Sequence, residues 1–213
     1  MKKIKFLAVF LLSVFLIAGC GKKTEDGTSE AEKEKKDGKT LTSVFHIKYE
    51  IKGGGDMTLD MYVKDKNFKM DMKGMEESGK KVDALMFIKD KFLYMVGEEG
   101  GKKMGMKFKV DDENNEFKDI TQITEIKDQL SKAKKEGTEK ILGYECDIYK
   151  DGDKTMWVYK DMYLLKMTDP KSTMIATVFE PDAKISDADL ELPKDVEFQD
   201  MEELMKGLQN LNK

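Results

Sequence analysis

Hydrophobic and polar residues alternate along most of the chain between residues 44 and 180. In KMGMKFKV (103–110), for example, Met104, Met106 and Phe108 alternate with lysine or glycine. A period of two is typical of a β-strand that buries one face. The segments with this pattern are 44–52, 57–64, 67–73, 82–89, 92–97, 103–110, 138–150, 154–160, 162–168 and 173–180. Residues that favour turns separate them, as in GGGD (53–56), KDKN (64–67) and KDGDK (150–154).

The number and spacing of these segments indicate how the chain folds. Ten short strands with short connections favour an antiparallel meander. A sheet of that width has to curve, because the twist between neighbouring strands accumulates. In the first half, Thr58, Asp60 and Lys64 predict that the second face of the sheet is solvated. In the second half, both faces are apolar, as around Trp157, so a helix is expected to cover one of them.

Two segments have helical spacing instead of alternation. Residues 119–137 begin with a capping box at Asp119 and end at Gly137, a common helix stop. Residues 200–211 begin with the same motif at Asp200. Both segments carry an apolar stripe and are predicted to be amphipathic helices. The predicted fold class is α+β, mainly β: a curved antiparallel meander of about ten strands, forming an incomplete β-barrel, with one helix inserted mid-chain and one C-terminal helix.

The first twenty residues, MKKIKFLAVFLLSVFLIAGC, combine three lysines, an apolar run and small residues before Cys20. This order is typical of an export signal, and the run is too short for a membrane span. The last four residues, IAGC, resemble the lipobox of bacterial lipoproteins, in which the cysteine sulfur is acylated. We expect a signal peptide at 1–19, lipidated Cys20 with a disordered polar tether at 20–41, and a folded domain at 42–213. The expected location is extracytoplasmic, anchored by lipid to the bacterial cell membrane, or to the outer membrane in a bacterium with two membranes.

Charge and the scarcity of reactive side chains exclude several functions. The formal net charge of −4 becomes −7 once residues 1–19, with their three lysines, are removed. An acidic chain without a basic stripe argues against a nucleic-acid partner. His46 is the one histidine, and Cys146 is the one cysteine besides Cys20; we expect the Cys146 side chain to be buried. No catalytic constellation can be assembled from these residues, so we expect a non-enzyme without catalytic residues, bound metal or cofactor.

Methionine is frequent on the apolar positions of the predicted strands, and the chain has 16 methionines in total. Methionine re-packs easily, so a concave sheet lined by it suits a ligand without a fixed shape, such as an acyl chain or lipid. The predicted lining consists of Met57, Leu59, Met61, Phe68, Met70, Met72, Met104, Met106 and Phe108. The same pattern fits a filled core, in an interaction or sensor protein that acts through an unknown protein partner in the envelope. Thioethers also favour cuprous copper, so Cu(I) binding is a further alternative.

Three further stretches carry a resemblance to a known family: KILGYECDIYK (140–150), KTMWVYKDMYLLKM (154–167) and ISDADLELP (185–193). Together with the acylated cysteine and the meander, they resemble the LolA, LolB and LppX-like superfamily of bacterial envelope proteins, especially its methionine-rich lipoproteins of unassigned function. The resemblance covers about residues 42–198. It implies an incompletely closed antiparallel barrel around helices, whose apolar hollow holds acyl chains or lipids. The chain lacks the arginine that the soluble carrier is reported to use in gating, so the resemblance implies a fixed lipid-holding lipoprotein rather than a shuttle.

Overall fold

Twelve strands form one sheet in the part of the chain that the computed structural model describes, which comprises residues 44–53, 55–77, 80–99, 102–110 and 127–204. These residues belong to the compact unit Thr42–Lys213. The strands are β1 (Val44–Lys52), β2 (Met57–Lys64), β3 (Asn67–Glu77), β4 (Lys80–Lys89), β5 (Phe92–Glu99), β6 (Lys102–Lys109), β7 (Lys134–Ile141), β8 (Tyr144–Asp151), β9 (Lys154–Tyr159), β10 (Tyr163–Thr168), β11 (Thr173–Pro181) and β12 (Phe198–Asp200).

The sheet consists of two meanders joined side by side. Strands β1 to β6 follow one another in order, as do β7 to β11, and β1 pairs with β11 to join the two sets. All neighbours are antiparallel except β12, which runs parallel to β6. The sheet is open, with β12 and β7 at its two ends. The predicted curved and mainly antiparallel sheet is confirmed, with twelve strands instead of ten and without closure into a barrel.

The predicted helix at 119–137 is wrong in its second half. Within the described residues it is helical only at Lys127–Leu130, which we call α1, whereas residues 119–126 lie outside the described part. Strand β7 begins at Lys134, and Gly137 lies at an irregularity of the β7–β8 ladder rather than at a helix stop. Residues 134–140 carry no large apolar side chain, so the apolar stripe of the predicted helix does not continue here, and hydrogen bonds to β8 hold these residues in an extended conformation.

The predicted strand at 138–150 is two strands joined by a tight turn. Leu142 and Gly143 form the tip of this hairpin, with φ angles of +52° and +85°. Two-residue hairpin turns with positive φ at both positions favour Asn-Gly or Asp-Gly. The alternating pattern did not indicate this turn, because a leucine occupies the first of these positions.

The beginning of the C-terminal helix is confirmed at Asp200. One of its carboxylate oxygens accepts hydrogen bonds from the backbone N–H groups of Glu202 and Glu203, at 3.0 and 3.3 Å. Residues 201–204 are helical, and residues 205–211 lie outside the described part of the chain. No helix within the described ranges is long and apolar enough to cross a membrane.

Left-handed backbone conformations mark the turns of the sheet. Seven residues other than glycine have a positive φ within the described ranges: Asp65, Asp90, Lys91, Leu142, Lys160, Asp161 and Asp182. Six of the seven are aspartate or lysine, whose side chains remain in water at a turn. Leu142 is the apolar exception, and its side chain is 47% exposed.

Replacing Leu142 with asparagine is expected to raise the free energy of unfolding by about 1 kcal/mol, because asparagine tolerates a positive φ that penalises most L-residues. Urea unfolding monitored by circular dichroism measures the change. Leu142→Ala is the control: it removes the exposed side chain but keeps the Cβ, so its effect should stay within about 0.5 kcal/mol. A loss of stability in Leu142→Asn would show that the leucine stabilises the fold.

Residues 183–200 cross the polar face of β2 to β6, and we call this segment the strap. It begins after β11, contains a 3-10 helix at Asp187–Leu190, and ends in β12. Its apolar residues Ile185, Leu190 and Val196 are buried. The expectation of a solvated second face is wrong for this half, since Phe87 and Val96 on the polar face are only 2% and 4% exposed.

Aspartates attach the strap to lysines of the sheet. Lys64 Nζ donates to Asp187 Oδ1 at 2.6 Å, and Lys103 Nζ donates to Asp195 Oδ2 at 2.7 Å. Further along, Lys107 lies 3.2 Å from a carboxylate oxygen of Asp200. The hydrogen bond from the paired lysine lowers the pKa of each of these three aspartates.

Acid is expected to loosen the strap before the rest of the sheet. A carboxyl group whose pKa is lowered by folding stabilises the fold above its unfolded value of about 4, and this contribution is lost as the pH falls through the lower folded value. The protection of residues 185–200 against hydrogen exchange, relative to the intrinsic exchange rate at each pH, should therefore fall below about pH 4. The β8–β9 hairpin serves as the internal control, and an equal loss of protection in both regions would contradict the prediction.

Candidate ligand-binding face

Five methionines from five neighbouring strands stand directly beside one another on the apolar face. The register pairs Met61 with Met70, Met70 with Met86, Met86 with Met95, and Met95 with Met106. We call these five residues the methionine row. Side chains in directly opposed positions of antiparallel strands are in contact range. All five are buried, with exposed fractions between 0% and 8%.

Two further rows flank the methionine row on the same face. One consists of Phe45, Val63, Phe68, Ile88, Leu93 and Phe108. The other consists of Tyr49, Leu59, Met72 and Ala84, followed by the pair Gly97 and Met104. Ala84 and Gly97 project at most a methyl group, so the side-chain layer is lowest between Met72 and Met104. The methionine row is therefore flanked by a strip, Ala84 and Gly97, in which the side chains are smallest and which is itself buried.

All nine residues of the predicted lining lie on this face. Leu59, Met61, Phe68, Met70, Met72 and Met106 are buried, whereas Met57, Met104 and Phe108 are half-buried. Sequence reasoning missed Met86 and Met95, which complete the methionine row. Strands β4 and β5 have large apolar groups on both parities, for example Phe87 beside Met86, so alternation could not assign their faces.

A second group of methionines lies on neighbouring strands in the other half of the sheet. Met156 pairs with Met167, and Met167 pairs with Met174. Leu130 at the end of α1 and Ala133 after it pack against Met156 and its neighbour Val158. This contact agrees with the expectation that a helix covers one face of the second half.

Aromatic rings form a cluster at the end of the sheet where β1 begins. Tyr144, Tyr159 and Tyr163 pack with Phe179 and Phe45, and we call these five residues the tyrosine cluster. Centroid distances are 5.0 Å from Tyr144 to Tyr159, 6.2 Å from Tyr159 to Tyr163 and 5.2 Å from Tyr163 to Phe45. The three tyrosines are half-buried. Burial raises the pKa of Tyr163 above its ordinary value.

His46 is part of a charged group on the polar face, which sequence reasoning did not predict. Its ring nitrogens lie 2.7 Å from Asp60 Oδ1 and 3.0 Å from Glu180 Oε2, and the ring stacks on Tyr62 at 4.4 Å. The side chain is 15% exposed, less than expected for a histidine on a polar strand face. The group ties together β1, β2 and β11. Within the described ranges, no three histidine, cysteine or acidic side chains are arranged to hold a metal ion.

Cys146 is a free and buried cysteine, as expected. Burial raises the pKa of its thiol, which disfavours the reactive thiolate. Its Sγ is 3.5 Å from the backbone oxygen of Tyr144. The side chain therefore acts as a small apolar group in the packing of β8.

By its fold, the protein is of the mainly β class: an open, curved, mainly antiparallel sheet buries a methionine-rich face. Residues 42–173 match a family described as a domain of unknown function, DUF4412, and the chain belongs to this family. No curated protein matches the chain.

Solved structures align with most of the chain at low identity. An uncharacterized conserved protein from Thermus thermophilus aligns with a TM-score of 0.48 and 12% identity, over 76% of this chain and 93% of that chain. PNGF-II aligns in two crystal forms, with TM-scores of 0.40 and 0.38 and identities of 12% and 13%. Each alignment covers 77% of this chain but only 33% or 32% of PNGF-II, so the chain spans about a third of that protein.

Proposed function

We propose that this protein is a lipid-anchored, extracytoplasmic lipoprotein that binds an acyl chain or a similar apolar ligand on its methionine-lined face, without catalysis. The observation that carries the proposal is the methionine row, Met61 to Met106, buried on one face of an open sheet. The resemblance to the LolA, LolB and LppX-like superfamily is part of the proposal.

The chemistry of the methionine row suits an unbranched hydrocarbon. Each thioether side chain has three rotatable bonds and adapts to a neighbour of variable shape. From Met61 to Met106 the row crosses four inter-strand spacings, about 19 Å in all. The chains of one lipid leaflet span about 15 Å, half of the bilayer core, so one acyl chain matches the row in length. The small side chains of Ala84 and Gly97 leave the most room for an acyl chain beside the methionine row. Because the row is buried, the acyl chain has to take the place of side chains that cover it.

The proposed anchor follows from the lipobox-like sequence that ends at Cys20. Residues 21–41 are rich in lysine and acids and contain few apolar side chains, a composition that suits a tether. The anchor keeps the domain beside the bilayer, which is the source of acyl chains. No cofactor is part of this function.

Mass spectrometry of the intact lipoprotein tests the proposal. The acylated chain is extracted in a mild detergent, and bound lipid is measured by native mass spectrometry and by lipid extraction. The expected result is a bound acyl lipid in addition to the covalent anchor. A folded protein that never carries such a lipid would contradict the proposal and favour an interaction or sensor protein with a filled core.

Replacing Met70, Met86 and Met95 together with leucine is expected to weaken the binding of a fluorescent fatty acid roughly fivefold, which corresponds to about 1 kcal/mol. Leucine keeps the volume and the hydrophobicity of the row, but it has fewer torsions with which to adapt. Fluorescence titration measures the affinity. The matched control replaces Met156 and Met174 with leucine, and equal loss of affinity in both variants would argue against a role of the methionine row.

Cuprous copper is a second candidate, since the methionine row places five thioether sulfurs on adjacent strands. Competition with a cuprous chelator measures the affinity for copper. If the row binds copper, the leucine variant of Met70, Met86 and Met95 loses binding completely, because leucine has no donor atom. Retention of copper by this variant would rule the row out as a copper site.

A further inference from the structure

The hairpin tip at Leu142 has properties that folding does not require. Leu142 has a φ of +52° and a side chain that is 47% exposed, so both its backbone and its side chain are in unfavourable surroundings. In the described part of the chain, the other exposed large apolar residue is Leu204. The two-residue tip between β4 and β5 also has two positive φ angles and is built from Asp90 and Lys91. A polar residue would therefore serve the turn at least as well as leucine.

The surroundings of Leu142 are amphipathic. Tyr144 follows the turn and packs on Tyr159, whose ring lies 5.1 Å from the ammonium group of Lys160. Tyrosine combines an apolar ring with a polar hydroxyl, and lysine combines an apolar stem with a charged end. Exposed leucine beside tyrosine and lysine is the composition that suits the boundary between lipid headgroups and acyl chains.

The position of the first strand identifies what this end of the sheet faces. Val44 is the first described residue, and the ring of the next residue, Phe45, packs 5.2 Å from the ring of Tyr163 in the tyrosine cluster. The preceding segment, which connects to Cys20, therefore joins the domain beside this cluster. If residues 21–43 form the tether of the proposed function, its average span is about 30 Å, and a lipid on Cys20 would keep this end close to the bilayer. Such tethering gives a weak apolar contact a high effective concentration.

We propose that Leu142, Tyr144, Tyr159 and Lys160 dock into the headgroup region of the membrane that holds the lipid anchor. This docking rests on the lipid anchor of the proposed function. It fixes the orientation of the domain, with the tips of the β7–β8 and β9–β10 hairpins toward the bilayer. The opposite end of the sheet, which includes the β8–β9 turn, points away from the membrane.

Site-directed spin labelling of the full acylated chain in phosphatidylcholine vesicles tests the orientation. One variant carries a nitroxide at Leu142→Cys, where the apolar nitroxide ring takes the place of the leucine side chain, and the matched control carries it at Asp153→Cys in the β8–β9 turn. Labelling is selective because Cys146 is buried and Cys20 is acylated in the lipoprotein. The expected result is that vesicles remove the accessibility of position 142 to a water-soluble nickel complex and leave position 153 unchanged.

A second variant separates docking from folding. Leu142→Asn retains a residue that tolerates a positive φ, so the hairpin forms, but the apolar tip is gone. With the nitroxide at Lys140→Cys on the same hairpin, where no docking residue is removed, this variant is expected to lose the protection by vesicles that the protein with Leu142 has.

The outcomes distinguish docking from anchoring. Equal accessibility at positions 142 and 153 in an acylated protein that floats with vesicles overturns the docking alone. Protection of position 142 that is already present without vesicles indicates contact with a second copy and also overturns it. An unmodified Cys20 in the intact mass, together with failure to float, overturns the anchor and the docking with it.

Discussion

Replacing Met86 with alanine is expected to lower the free energy of unfolding by about 3 kcal/mol. The Met86 side chain is 0% exposed and stands between Met70 and Met95 in the middle of the methionine row. Alanine removes three heavy atoms and leaves a cavity that neighbouring strands cannot close, because their hydrogen-bonded ladders fix the spacing. Urea unfolding followed by circular dichroism gives the change in free energy.

The matched control is Met86→Leu, which conserves volume and should cost less than about 1.5 kcal/mol. An apolar ligand bound to the native state adds to its stability. Addition of a fatty acid should therefore restore part of the stability of Met86→Ala if the proposed function is right. A loss below about 1 kcal/mol in Met86→Ala would show that the flexible neighbours re-pack into the space, and that the row is not tightly filled.

Strands β1 and β2 could be predicted closely because each of them buries one face only. The boundaries of β1 and β2 coincide with the predicted segments 44–52 and 57–64, since alternation ends where the turn residues begin. The second meander was harder. The hairpin at Leu142 has no polar turn residue, so the pattern predicted β7 and β8 as one strand. Strand β7 does not alternate between apolar and polar residues, so the pattern did not show where it begins.

The sequence could predict which residues lie on the candidate face, but it could not predict which of them stand beside one another. Period two assigns Met61 and Met70 to an apolar face, but the register that pairs them is set by turn lengths and by contacts between strands. The same limit applies to the strap. Residues 183–200 have little periodicity, and their position depends on ion pairs such as that of Lys64 with Asp187, between residues far apart in sequence.

Replacing Gly105 with valine is expected to lower the free energy of unfolding by about 2 kcal/mol and to release the end of the strap. A Cβ at this position would lie 2.7 Å from side-chain atoms of Val196 and Phe198, and 2.9 Å from the backbone oxygen of Glu197. Real side chains do not approach so closely, so β6 and the strap have to separate. Glycine is therefore required because the strap lies directly on the strand.

Separation at Gly105 should also change the association of the protein. The three residues of β12 pair with β6, and their loss exposes the backbone groups of a strand at the end of the sheet. Exposed sheet edges pair with other chains, so Gly105→Val is expected to form dimers or larger species in size-exclusion chromatography, with faster hydrogen exchange at 196–200. Gly137→Val is the matched control, because a Cβ there has no heavy atom within 4 Å. A monomeric Gly105→Val with unchanged exchange at 196–200 would contradict close packing of the strap on β6.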